Sequence, residues 1–117
     1  MVKSDRLGEF EQLALLAVMR LGGDANGATI QRELESTAGR AASISAIYIT
    51  LTRLESKGLV SSWMGQPEEV RGGKARRFFR VGPAGLSTLN ATRNRLLSMW
   101  DGLEGELERA TGITGGK

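Results

Sequence analysis

ISAIYITLTRLESKGLV, residues 44–60, runs on into SSWMGQPEEVRGGKARRFFRV, residues 61–81, and this junction decides the fold. In the first half Ile44, Ile47, Leu51 and Leu54 recur at helical period, so they share one face of a helix predicted over 44–57. Ser43 supplies an N-cap hydroxyl, Ala46 leaves the capping box open, and Gly58 stops the helix. The second half changes period. Leu59 to Met64 and Ala75 to Val81 are β-branched and aromatic, and the loop between them holds Pro67 and Gly72-Gly73, which predicts a hairpin. Strand alternation sends Phe79 and Val81 inward and Arg76, Phe78 and Arg80 outward.

The charge is uneven. The chain has 16 Lys and Arg against 13 Asp and Glu, a net of +3. Within residues 71–80 stand Arg71, Lys74, Arg76, Arg77 and Arg80 with no acid among them. The positive excess is therefore local to the hairpin, which points to a polyanion partner.

Working outward, GEFEQLALLAVMRL (8–21) reads as a first helix with acids at its N-terminal end and Gly22-Gly23 as its stop. Phe10, Leu13, Ala14, Ala17 and Leu21 form one stripe, while Leu15, Leu16, Val18 and Met19 widen the apolar arc beyond what a lone surface helix needs. The excess is expected to pack on a second subunit. Asn26-Gly27 opens a second helix over 28–38, closed by Gly39. Gly82-Pro83 starts the last helix. There Leu86, Leu89, Arg93, Leu96, Trp100, Leu103 and Leu107 follow heptad a/d spacing, a dimerisation seam interrupted by Arg93. The expected layout is a mainly α fold with a small β-hairpin: a winged helix-turn-helix over 1–82, a long C-terminal dimerisation helix over 83–110 and a flexible tail over 111–117.

The inventory narrows the chemistry. Cysteine and histidine are both absent, which removes thiolate and imidazole ligands and the usual neutral-pH base. No metal, cofactor or enzymatic activity is expected. Glu104, Glu106 and Glu108 are the dense carboxylates, and alternate helical positions diverge rather than converge. The run Leu13–Met19 is too short to span a bilayer and the polar start MVKSDRLGEFEQ is unlike a signal peptide, so a cytoplasmic chain without a membrane partner is expected.

Three helices and a hairpin in this order describe a winged helix, whose third helix enters the major groove of double-stranded DNA while the wing follows the backbone. The outward face of the third helix carries Ser45, Ile49, Thr52, Arg53 and Ser56, with Tyr48 on its flank. Ser45 and Thr52 are short and hydrogen-bonding, Ile49 suits a thymine methyl, Tyr48 can donate to a phosphate and Arg53 can read guanine or hold a phosphate. Arg71, Lys74 and Arg76 would supply sequence-independent attraction. Against this stand a packing helix with a solvated back, and a basic strand that merely guards a sheet edge.

These residues resemble the PadR-type transcriptional regulators. The resemblance spans about residues 7–107 and rests on Ala46-Ile47-Tyr48, Arg53-Leu54-Glu55, Lys57-Gly58-Leu59-Val60, the stretch Gly72 to Val81 and Gly85. The chain departs from the family pattern at Gly82, where Thr is usual, and at Phe78-Phe79, where Tyr is common. The resemblance implies a homodimeric regulator, usually a repressor, acting on a pseudo-palindromic operator. Its subunits would join through Leu86, Leu89, Leu96, Trp100, Leu103 and Leu107. It also permits a small-molecule effector, a planar aromatic or cationic compound, contacting Leu96, Met99 and Trp100. The alternatives are a β-lactamase-type winged-helix repressor, whose third helix ends similarly, and a winged helix used for protein–protein assembly.

Overall fold

The computed structural model describes residues 6–66 and 75–112. Its order is α1 (Glu9–Leu21), a 3-10 turn (Gly22–Asp24), α2 (Gly27–Ala38), α3 (Ile44–Ser56), β1 (Val60–Met64), β2 (Arg77–Val81), α4 (Pro83–Trp100) and α5 (Glu104–Thr111). The chain is thus mostly helical with one antiparallel hairpin, as the sequence predicts. No described helix is long and apolar enough to cross a membrane.

Local chemistry sets the helix boundaries. Glu11 Oε1 accepts from the Gly8 amide at 2.8 Å, at the N-terminal end of α1. Asn26 Oδ1 accepts from the amides of Ala28 and Thr29, and the Asn26 amide donates back to Thr29 Oγ1 at 2.9 Å. That reciprocal cap makes α2 start sharply. The Ser43 hydroxyl accepts from the Ala46 amide at 3.0 Å and caps α3 as expected.

One core joins these elements. Leu15 and Val18 of α1, Ile30 and Leu34 of α2, and Ile47, Leu51 and Leu54 of α3 are buried around Phe79 of β2. Two expectations change here. Leu15 and Val18 belong to this chain's own core, so only Leu16 and Met19 of the widened arc on α1 stay exposed. Ile44 is exposed as well, because it sits in the first turn of α3, beyond the core, against the bare backbone of Gly27.

The hairpin pairs Val60 with Val81, Ser62 with Phe79 and Met64 with Arg77. Its inner face turns Phe79 and Val81 inward, as alternation requires. On the outer face Trp63 stacks on Phe78 at 5.8 Å between centroids, and the Arg80 guanidinium lies 5.3 Å from the Trp63 ring centre. The Phe79 amide donates to the Ala25 carbonyl at 2.9 Å, so β2 also leans on the segment before α2, a second line of pairing that the sequence does not announce.

The last helix is not continuous. After Trp100 the chain turns extended at Asp101 (ψ 123°) and left-handed at Gly102 (φ +83°), then restarts as α5. Glycine adopts that φ at no steric cost, and heptad counting through the leucines takes no account of it. The seam also loses Leu89, which is buried in the chain's own core. Thr111, assigned to the tail, is the last residue of α5, while 113–117 lie outside the described residues.

Candidate nucleic-acid interface

Helix α3 presents Ser45, Ile49, Thr52, Arg53 and Ser56 to solvent, and Ile49 keeps 62% of its surface exposed. An isoleucine held open on an otherwise polar face has no folding rationale within the described residues. The short neighbours leave the helix slim enough to approach a groove. This is the face that the helical wheel selects.

Two predicted contacts are partly committed elsewhere. Tyr48 is half-buried, with its ring 5.9 Å from Phe79 and its hydroxyl end close over Gly27. A Cβ at Gly27 would lie 2.9 Å from that hydroxyl, so the glycine makes room for the tyrosine. Arg53 Nη1 reaches back to Glu11 Oε2 on α1 at 3.4 Å. The Ser56 hydroxyl donates to the Arg53 carbonyl at 2.8 Å.

Between α3 and the hairpin the structure adds residues that sequence reasoning passed over. Arg77 Nη2 pairs with Glu55 Oε1 at 2.5 Å, Nε donates to Ser62 Oγ at 3.1 Å and Nη1 donates to Thr52 Oγ1 at 3.2 Å. Ser62 in turn donates to Glu55 Oε2 at 2.9 Å. The guanidinium also covers the Phe79 ring at 5.0 Å. A planar fork with five donors meets such scattered acceptors where an ammonium would not. Only the Arg-Leu-Glu end of α3 and the basic strand hint at this cluster in the sequence. The partner choice depends on the hairpin register.

Thr52 and the wing strand therefore meet within hydrogen-bonding distance, so the slim face and the basic hairpin border one another. Arg76 is exposed at the start of that strand. Arg71 and Lys74 lie outside the described residues.

Between α1 and α4 lies an open apolar groove of about 510 Å³ whose walls include Leu16, Met19, Leu86, Arg93, Leu96 and Trp100. Leu103, Leu107 and Met99 are exposed beyond it. The glutamates of α5 are exposed too, with Glu106 3.2 Å from Arg109, and form no convergent pair.

Comparison with known proteins identifies the family. A family model described as "Transcriptional regulator PadR-like family" matches residues 15–91, more than half of the chain. A PadR family transcriptional regulator from Eggerthella lenta superposes with a TM-score of 0.62 at 26% identity, covering 86% of this chain and 87% of the other. A PadR family transcription regulator from Clostridium difficile gives a TM-score of 0.62 at 17% identity, over 84% and 98% of the two chains. PadR of Bacillus subtilis, solved in complex with operator DNA, gives 0.56 at 21% identity, over 71% of this chain and 46% of that one. No curated protein matches the sequence.

Proposed function

The chain belongs to the PadR-like family of transcriptional regulators, and from that premise we propose that it binds operator DNA sequence-specifically through α3 and the wing. The observation that carries this reading is the contact between Thr52 on the slim face and Arg77 on the acid-free strand, which brings the two elements side by side and so supports their use on one duplex. The structure of Bacillus subtilis PadR with operator DNA supports the same use of the fold. In this reading Ser45, Ile49 and Thr52 meet base edges, while Arg71, Lys74 and Arg76 hold phosphates.

The protein acts as a homodimer. Leu86, Leu96, Trp100 and the exposed Leu16 and Met19 supply the shared surface, since contiguous exposed apolar side chains mark an interaction site. A two-fold dimer fits a pseudo-palindromic operator. The sense of regulation, repression, follows from the resemblance read in the sequence. A small-molecule effector fits the groove beside Leu96, Met99 and Trp100. Arg93 on its wall favours a planar aromatic compound over a cationic one, because like charges repel. Quenching of Trp100 emission by a planar aromatic dye, in a Trp63→Phe background, tests that site, and unchanged emission at saturation removes it.

The deciding experiment is selection of duplexes from a random-sequence pool, then titration of the selected duplex across salt with wild type and Arg76→Ala. Enrichment of a common sequence is expected. Loss of one phosphate contact lowers the log–log salt slope by roughly 0.9. A pool that stays random overturns the proposal.

A further inference from the structure

Arg77 sits in the basic stretch that would be credited with holding phosphates, yet its side chain is directed inward. Its three kinds of nitrogen each reach a different acceptor: Glu55 and Thr52 on α3, and Ser62 on β1. Its charge is opposed by the Glu55 carboxylate, which is itself hydrogen-bonded by Ser62. A cation so committed adds little to attraction for the backbone.

The polarity of the Thr52 contact carries a second consequence. Arginine has donors and no acceptor, so Thr52 Oγ1 accepts in this bond. The hydroxyl proton is turned away from the guanidinium, and the hydroxyl donates to no protein group among the described residues. Resting on the reading of α3 as the DNA-facing helix, we propose that Arg77 is a positioning residue that locks the wing to α3 and presents the Thr52 hydroxyl to DNA as a donor. Such a donor selects acceptors on the major-groove edge, guanine N7 and O6, adenine N7 and thymine O4, over the amino groups of cytosine and adenine.

The test uses the duplex selected by the wild-type protein and a shuffled duplex of equal length. Arg77→Met keeps an apolar stem over Phe79 and removes the fork. It is expected to cut the ratio of selected to shuffled affinity by about tenfold, the scale of one lost base contact, while the salt slope stays unchanged. A slope that drops by roughly 0.9 would show Arg77 on a phosphate and overturn the proposal. So would an undiminished ratio. Glu55→Gln is nearly isosteric and leaves the guanidinium unopposed, so its slope should rise by roughly 0.9 as the ratio falls. An unchanged slope and ratio there also overturn it. Arg77→Lys, which keeps the charge without the fork, should resemble Arg77→Met, and full rescue by lysine counts against the clamp. Failure of the wild type to enrich any sequence is a different outcome, because it removes the DNA-binding reading itself.

Discussion

On the side formed by α3 and the hairpin, polar groups find partners inside the chain: one arginine reaches Thr52, Glu55 and Ser62, and Ser62 returns a bond to Glu55. On the side formed by α1 and α4, Leu16, Met19, Leu96 and Trp100 stand open to water around a groove. On the first surface Arg77, Glu55 and Ser62 are already paired within the chain, an arrangement that suits the proposed reading of base edges. The second leaves its apolar area uncovered, which is costly for a protomer alone and favourable once a like surface covers it. A domain of this size can bury only a modest core, so sharing the rest with a second copy is a natural solution.

The largest expected effect lies on the open side. Combining Leu96→Arg with Trp100→Ala places a charge in the shared surface and removes its largest anchor. Loss of such anchors costs about 2–4 kcal/mol of association, so self-association should weaken at least about thirtyfold. Sedimentation at micromolar protein should give a monomer where wild type gives a dimer. Circular dichroism should stay near wild type, since neither side chain is part of the core. A wild type that is already monomeric there would erase the contrast between the two faces.

An intermediate effect is expected where the faces join. Gly85 opens α4 against the Leu59 carbonyl, and a Cβ there would run into that oxygen and lie 2.7 Å from Val81 Cγ1. The Leu59 carbonyl also accepts from the Gly82 amide at 2.9 Å, so it cannot easily move aside. Gly85→Ala should cost about 2 kcal/mol of stability, read as a lower denaturant midpoint. A midpoint equal to wild type would show that α4 is free to shift relative to the wing.

How far the sequence reveals this molecule differs between the two faces. The periodicity of Ile47, Leu51 and Leu54, the alternation at Phe79 and Val81, and the glycine stops are local signals, and the structure follows them. The heptad count through Leu103 and Leu107 is local as well, yet it fails at Gly102, because a seam of leucines says nothing about the backbone angle between them. The arc on α1 is over-read for a related reason. Leu15 and Val18 face a core built from distant segments, and no pattern within α1 can say which apolar residues that core will claim. The Arg77 cluster needs strand register, helix end and rotamer together, so the sequence gives its members without their pairing. Ile49 is the opposite case, conspicuous as an apolar residue on a polar face and found exposed as the wheel requires.

That residue carries the smallest of the expected effects and the most specific. If Ile49 covers a thymine methyl, Ile49→Ala removes one apolar contact and leaves the surrounding polar network intact. A methyl-sized loss of burial is about 0.8 kcal/mol, so affinity for the selected duplex should fall about fourfold, with the salt slope unchanged. The contact can be isolated from the DNA side by replacing single thymines with uracil, which deletes the methyl and keeps the hydrogen-bonding edge. At the contacted position wild type should lose the same fourfold, while Ile49→Ala should be indifferent. Additive losses at every position would mean that Ile49 touches no methyl. Its exposure would then need a protein partner, and the α3 face would resemble the α1–α4 face instead of contrasting with it.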